Sequence, residues 1–338
     1  MKIYRLQGDN RIDGMTISEE ATPRPKRGQL LVRMRAVSLN YRDLLIAVGR
    51  YRLVADQIHK IVPLSDGSGE VAELGEDVTR FKAGDRVVNA FVPGLITGQA
   101  RPDSLTRMRG APHDGVLAEY AVFEQDDLVA LPPKLSFADG ACMPCAGVTA
   151  WNALYCGPQP LLPGQTVLVL GTGGVSMFAL QLAHAGGAGV IMTSSSDEKL
   201  HRARALGAWQ GINYQTHPEW QEEVKRLTGG RGVDHTVENG GPGTLARSVA
   251  ATRFGGSVGM IGVLVQGEIN PIAVMHQGII LRSILSGSRD MLEDTIRAFD
   301  FHKLHPVIDR VFPFAEAAAA YHYLESAAHV GKVVIAID

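Results

Sequence analysis

The chain has 338 residues, a formal net charge of −2, and 45% hydrophobic against 20% charged residues. That length suffices for two domains with cores of their own, and the composition is that of a globular protein. A near-neutral balance without a basic run argues against nucleic acid or an anionic membrane surface as partner. Apolar stretches interrupted by Gly or charge argue against a membrane span. Three cysteines (Cys142, Cys145 and Cys156) crowd one short segment and form no disulfide framework. No signal-peptide core follows the opening residues, so the expected location is cytoplasmic.

The opening residues MKIYRLQGDNR alternate polar and apolar as a strand does. The first 130 or so residues read as β-rich, with strands over 29–38, 68–75, 85–92 and 115–123, bounded by Gly and Asp turns. Residues 93–114 are polar, carry Gly and Pro, and have no period, so they read as a long functional or mobile loop. Ser136 and Asp139 have capping-box spacing, and an Ala-rich helix follows towards Tyr155.

The apolar run Val167-Leu168-Val169-Leu170 fits a strand buried on both faces. It breaks at Gly171-Thr172-Gly173-Gly174, and from Val175 apolar residues recur at helical spacing until His184. A second apolar run, Val190-Ile191-Met192, completes strand, glycine turn, helix and strand. This is the first half of a dinucleotide-binding unit: Gly171 permits the tight turn, Gly173 lets backbone approach a pyrophosphate, and small Ser176 allows close helix packing. The phosphates would sit at the helix N-terminus. Further strands follow over 211–214, 233–238, 256–263 and 283–286, with helices over 199–205, 218–228 and 244–252 between them, the order of a doubly wound parallel sheet. Helices over 291–303 and 315–327 and a strand from Lys332 close the chain.

With these blocks in order, the whole chain resembles the medium-chain dehydrogenase/reductase superfamily. The resemblance rests on Leu39-Asn40-Tyr41-Arg42-Asp43, on residues 63–88, on Asp114 to Tyr120, on Cys145 to Trp151, on the glycine fingerprint, and on the Gly331-Lys332-Val333-Val334 ending. It implies an α/β chain in which a GroES-like β-rich catalytic domain (1–131, with 286–338 returning to it) accompanies a Rossmann dinucleotide-binding domain (132–285), substrate lying in the cleft. In the zinc alcohol dehydrogenases of this superfamily, Cys, His and Cys bind catalytic zinc. Here those positions correspond to Asn40, Ser65 (followed by Asp66) and Cys145, and the loop matching the structural-zinc lobe has no Cys. Asn and Ser are poor zinc donors, so no zinc is expected. The Asn40-Tyr41-Arg42-Asp43 motif moves the resemblance to the zinc-independent, quinone oxidoreductase-like branch. Cys145 reads as a buried small residue, with a reactive thiol as the alternative.

An acidic residue ending the second Rossmann strand would select NAD. Ser194 occupies that place, beside Ser195, and Lys199 is a further donor for a 2′-phosphate; the resemblance adds Tyr214 as a contact to the same phosphate, so NADP(H) is preferred over NAD(H). The resemblance places Asn40, Tyr41 and Asp43 on the cleft floor and Thr149 at the nicotinamide. Gly262, Val263, Leu264, Ser286, Ser288 and Arg289 would close over the nicotinamide amide and ribose, and Lys332 would approach the pyrophosphate. Tyr41 and Tyr51 are the phenols available to donate a proton. His235 and Glu238 read as strand-end residues beside the cofactor. The leading reading is an NADPH-dependent reductase of a quinone, enone or carbonyl; the alternatives are an alcohol dehydrogenase and a low-turnover NADPH-binding protein. A homodimer formed through an edge strand of the Rossmann sheet is also implied, with 256–265 as candidate edge.

Overall fold

The computed structural model describes residues 1–7, 11–51 and 60–338. The end of the opening alternation, residues 8–10, lies outside the described residues. The chain divides into two compact units: Met1–Val148 with Ser286–Asp338, and Thr149–Leu285. Residues 132–148 thus lie with the first unit.

Strands β1 (Lys2–Arg5), β2 (Thr16–Glu19) and β3 (Gln29–Leu39) open the chain, and helix α1 (Tyr41–Ala47) follows directly. Next come β4 (Asp66–Leu74), β5 (Arg86–Asn89), β6 (Tyr120–Glu124) and β7 (Leu128–Ala130). Helices α2 (Phe137–Ala141) and α3 (Val148–Tyr155) are separated by one π turn, Met143–Gly147. A single helix is expected there, but Pro144 has no N–H to donate, and the ladder slips around it. The second unit alternates β8 (Thr166–Leu170), α4 (Gly174–Ala185), β9 (Gly189–Ser194), α5 (Asp197–Ala205), β10 (Gln210–Asn213) and α6 (Trp220–Leu227). It continues with β11 (Val233–Glu238), α7 (Pro242–Ala251), β12 (Thr252–Met260), α8 (Pro271–Gln277) and β13 (Ile280–Ser283). Helix α9 (Arg289–His302), β14 (Ile308–Pro313), α10 (Ala317–Glu325) and β15 (Lys332–Ala336) return to the first unit.

The first unit is built on a sheet ordered β14-β15-β3-β4-β5-β7, with β6 also paired to β3. Its long strand β3 pairs antiparallel with β15, β4 and β6, and Leu30, Val32, Met34, Val37 and Leu39 on it are buried. The last strand therefore sits inside this sheet, bringing Lys332 beside the end of β3. Strand character from 115 begins only at Tyr120; before that, Gly115 and Val116 donate to Val62, Pro63 and Leu64 carbonyls across the unit.

In the second unit every strand pair is parallel, and the order is β10-β9-β8-β11-β12-β13. Counted within the unit this is 3-2-1-4-5-6, the doubly wound dinucleotide-binding order, whose ligand crevice opens at the C-terminal ends of its first and fourth strands, here β8 and β11. Strand β11 is buried along its whole length, as a central parallel strand must be. One expectation is corrected: β12 pairs on both sides, so it is not an edge strand, and the outer strands of the sheet are β10 and β13. Helix α8 and strand β14 have no counterpart in the sequence reading.

Close approach of β3 and β4 depends on Gly69, where a Cβ would fall 2.1 Å from the Arg33 carbonyl oxygen. Gly69→Ala should destabilise the chain by about 2 kcal/mol, the range for overpacking a tight site. Urea unfolding checks this, and an unchanged midpoint would contradict the close approach.

Candidate functional site

The glycine fingerprint takes its expected place at the end of β8. Gly171 has φ +74, the left-handed conformation that favours glycine, and its N–H reaches Thr193 Oγ1 at 3.4 Å. Ser176 is buried on α4, donates to the Leu170 carbonyl at 2.7 Å, and receives Asn239 Nδ2 at 3.0 Å. The serine thereby ties helix, strand and the end of β11 together, a closer tie than the small-residue role expected. Thr172 is buried; Gly174 and Val175 form the first turn of α4 and are half-buried. Helix α4 has no side-chain cap and no acid in its first turn. Gly173 precedes it with φ −75, which any residue adopts, and a Cβ there would meet nothing within 4 Å. Packing does not demand glycine at 173. The space is what glycine preserves, over a helix end that favours anions.

Strands β9 and β10 end together at Ser194 and Asn213. Tyr214 donates its backbone N–H to the Ser194 carbonyl at 3.0 Å, so Ser194, Ser195 and Tyr214 share one corner. Ser194 is buried, with its hydroxyl accepting from Ser196 N, whereas Ser195 and Tyr214 are exposed and Lys199 is half-buried. No carboxylate ends β9. The nearest acids, Asp197 and Glu198, lie in the first turn of α5, where Asp197 accepts from Asn213 Nδ2 at 3.1 Å. Beyond β12, Gly262 presses so close to Asn239 that a Cβ would fall 1.8 Å from its carbonyl oxygen, and Val263 and Leu264 are 63% and 52% exposed. Thr149 is buried on α3. His235 is buried on β11 with Nε2 3.2 Å from Gln165 Oε1, and burial lowers its pKa, against any role as a resident acid.

In the first unit, a polar cluster gathers where β3 turns into α1. Lys332, 3% exposed, donates from Nζ to the Leu39 carbonyl and to Asn40 Oδ1, both at 2.6 Å. An ammonium has only donors, so it fixes the Asn40 amide with its oxygen towards the lysine. Asn40 N donates to Asp43 Oδ2 at 2.8 Å, closing the first turn of α1. Asp66 accepts from Ser65 Oγ at 2.6 Å and from Cys145 N at 2.9 Å. The π turn presents that Cys145 N–H. Burial raises the pKa of both carboxyls, Asp43 up to about 6, while Arg42 opposes the shift at Asp43 and Lys332 opposes it at Asp66. Burial also holds the Cys145 thiol well up, and Cys142 up to about 12, so neither is a ready nucleophile.

Arg42 is buried between the Tyr51 and Phe91 rings and donates to the Arg109 and Ala111 carbonyls, so it braces the 109–111 segment. Tyr51 and Cys145 both pack on a small apolar cluster of Phe91, Val92, Leu95 and Met108, all from 91–108. Tyr41 is 46% exposed. The other expected cofactor residues of this unit are engaged within it. Ser286 has φ +49 and donates to the Pro144 carbonyl, Ser288 caps α9, and Arg289 meets Asp126, Asp290 and Glu293.

Comparisons agree with this geometry. Residues 26–133 match the alcohol dehydrogenase GroES-like domain, and 174–300 the zinc-binding dehydrogenase domain. The chain is 42% identical over 318 residues to a zinc-type alcohol dehydrogenase-like protein of Schizosaccharomyces pombe, covering 92% of this chain and 91% of the relative. It is 32% identical to the 2-methylene-furan-3-one reductase of Solanum lycopersicum, over 99% of this chain and 79% of that one. A Sinorhizobium meliloti structure described as an alcohol dehydrogenase superposes with a TM-score of 0.92 at 38% identity, covering 99% of this chain and 98% of that one. The chain belongs to the medium-chain dehydrogenase/reductase superfamily, with the zinc-type alcohol dehydrogenase-like fold. It is an oxidoreductase of that family. Among the described residues, no helix is long and apolar enough to cross a membrane.

Zinc, which the family's name implies, does not fit the residues present. Asn40 Oδ1 already holds an ammonium, and Ser65 Oγ donates to Asp66. One thiol, an amide and a hydroxyl are a weak donor set, and a fixed lysine charge in the same cluster repels a dication. Among the described residues, no group of three or more His, Cys, Asp or Glu is placed to hold a metal.

Asp43 gives this cluster a pH signature. Its carboxyl is pushed up to about 6, above its ordinary value of 3.8, so its protonated form is favoured by folding. That contribution is fully present below pH 3.8 and is lost as pH rises through 6. The stability of Asp43→Asn relative to wild type should therefore rise between pH 4 and pH 7, on top of a constant offset from exchanging a protonated carboxyl for an amide. Urea unfolding at both pH values tests this; a difference that does not change with pH would remove the shift.

Proposed function

We propose that the protein is an NADPH-dependent, zinc-independent reductase of quinones or other activated alkenes and carbonyls. The observation that carries the reading is the uncapped N-terminus of α4 beside Gly173, at the switch point of a doubly wound sheet. Gly171, Thr172, Gly173, Gly174 and Val175 would receive the pyrophosphate. Ser195, Lys199 and Tyr214, with Ser194 shaping the corner, would receive the 2′-phosphate, because no carboxylate ends β9 to repel it. Gly262, Val263 and Leu264 would lie along the nicotinamide half, and Thr149 would touch it. A bound reduced nicotinamide supplies the hydride; the protein's task is to orient it and the acceptor.

In the first unit, Asn40, Tyr41, Asp43 and Tyr51 would serve the substrate. The Lys332 ammonium polarises Asn40 through its oxygen. The Tyr41 or Tyr51 hydroxyl would return a proton to the product oxygen, although a quinol can take it from water. In this reading Lys332 serves Asn40 rather than the pyrophosphate, and Ser286, Ser288 and Arg289 act by holding the start of α9. The tomato relative's name, a reductase of a methylene ketone, supports an activated alkene as acceptor. The Sinorhizobium meliloti structure favours a second reading, alcohol–carbonyl interconversion. We extend the proposal to a cytoplasmic homodimer pairing across the free edge of β13; light scattering showing a monomer at assay concentration would remove the dimer.

Gly173→Ala separates fold from function. With open space around the new methyl, the melting temperature should hold, while NADPH affinity should fall about tenfold or more as the methyl meets the phosphate. Unchanged affinity by calorimetry would remove the cofactor assignment. Ser195→Asp should turn an NADPH preference towards NADH in kcat/KM, and no turn would dissociate this corner from the 2′-phosphate. Activity on a quinone or enone should survive a chelator, and metal analysis should find no stoichiometric zinc. Bound zinc, with activity lost on chelation, would instead support the alcohol dehydrogenase reading.

A further inference from the structure

The end of β11 carries a carboxylate that the proposed chemistry does not use. Glu238 is 0% exposed. Its Oε1 accepts from Gly240 N at 2.7 Å, Gly241 N at 2.9 Å and Thr244 Oγ1 at 2.7 Å, and Ser248 Oγ donates to Oε2. Four donors therefore converge on one acceptor-only group, two of them backbone N–H groups of the turn into α7. The turn is a strained one: Gly241 has φ +105, and a Cβ there would fall 2.9 Å from the Gly262 carbonyl oxygen.

That turn in turn shapes the segment after β12. The Gly240 carbonyl accepts from both Leu264 N and Val265 N at 2.9 Å, and Val265 returns its carbonyl to Gly243 N at 3.0 Å. The Glu238 carbonyl itself accepts from Ile261 N at 2.9 Å and Gly262 N at 3.1 Å. From Ile261 to Val265 the segment thus hangs on Glu238 and on the turn whose backbone Glu238 grips. The side chains at 263–265 are all exposed, so these backbone bonds are what anchors the segment.

We propose that Glu238 is a positioning residue for dinucleotide binding: its carboxylate sets the 239–241 turn, and the turn sets the height of the 262–265 segment at the C-terminal ends of β11 and β12. The inference rests on the nucleotide reading above and adds to it a residue that touches no ligand. A buried carboxylate with four donors is more than a strand end needs. Two of those donors belong to a backbone that would otherwise be free to relax, and the relaxed turn would carry Leu264 and Val265 with it. Displacements of about 1 Å in such a segment are enough to change binding and turnover steeply.

Glu238→Gln tests this, because the amide keeps the volume but presents an NH2 where donors converge. The expected result is a KM for NADPH about tenfold higher with kcat within about twofold, a split that loss of folded protein alone does not produce. Ser248→Ala is the milder variant, since it removes the donor to Glu238 Oε2 and leaves the backbone donors to Oε1 in place. It should raise the same KM about threefold while the protein stays folded at the assay temperature. Calorimetry of wild type with NADPH runs beside both. If wild type binds NADPH and both variants only melt earlier, with KM unchanged, Glu238 is a fold residue and the inference fails while the nucleotide reading stands. If wild type binds neither NADPH nor NADH, the nucleotide reading fails and takes the inference with it.

Discussion

A lysine ammonium buried at the start of the last strand organises the first unit. Lys332 enters the sheet with β15, between β14 and β3, and its charge is met by the Leu39 carbonyl and Asn40 Oδ1. An unpaired ammonium in that position would be costly, so the chain end, the end of β3 and the start of α1 must arrive together. Asn40 then passes the constraint on, because its backbone N–H is closed by Asp43 and its amide has one permitted orientation. Asp66 completes the arrangement through Ser65 and the Cys145 N–H, with Lys332 lowering its pKa against burial. One fixed cation therefore supports two buried carboxyls and an amide.

The fold was largely legible because its signals are local and periodic. The buried run at β8, the glycine turn and α4 follow one another within a few residues, and Ser136 and Asp139 form the capping box their spacing promised. Where the reading slipped, a competing constraint had acted. Pro144 broke a helix that Ala-rich composition alone would continue. Strand character at 115–119 was diverted by hydrogen bonds to residues 62–64. The resemblance offers 256–265 as an edge, and periodicity cannot tell which strand pairs on both sides; β13, a shorter strand, takes the outer place.

The sites were legible in a different measure. Gly171, Gly173 and Ser176 announce themselves by spacing, whereas the link between Asn40 and Lys332 spans 292 positions and has no sequence pattern at all. Lys332 drew notice only as a cation that could meet a phosphate, and the structure gives its charge a nearer partner. Glu238 reads from the sequence only as a strand-end residue beside the cofactor, for a related reason. On a buried strand an acid reads as a strand end, and its purpose appears only when the glycines after it are seen to turn back onto its carboxylate.

That last detail bears on why one helix end, among several, is fit for a phosphate. Helices at the C-terminal edge of a parallel sheet all point their N-termini the same way, and each favours an anion there. In the second unit the others are already answered from within: Ser196 caps α5, Asn270 caps α8, and two acids occupy the first turn of α6. At α7, Glu238 takes the N–H groups of Gly240 and Gly241, Pro242 has none to offer, and Val265 takes that of Gly243. Helices α4 and α7 both lack a side-chain cap and a first-turn acid, but α7 is closed by Glu238 and Val265, whereas Gly173 keeps the space before α4 clear. A diphosphate approaching this edge therefore meets one attractive end and several that are neutralised or negative. Under the proposed reading, placement of the ligand would depend as much on the carboxylate that closes α7 as on the glycines that open α4.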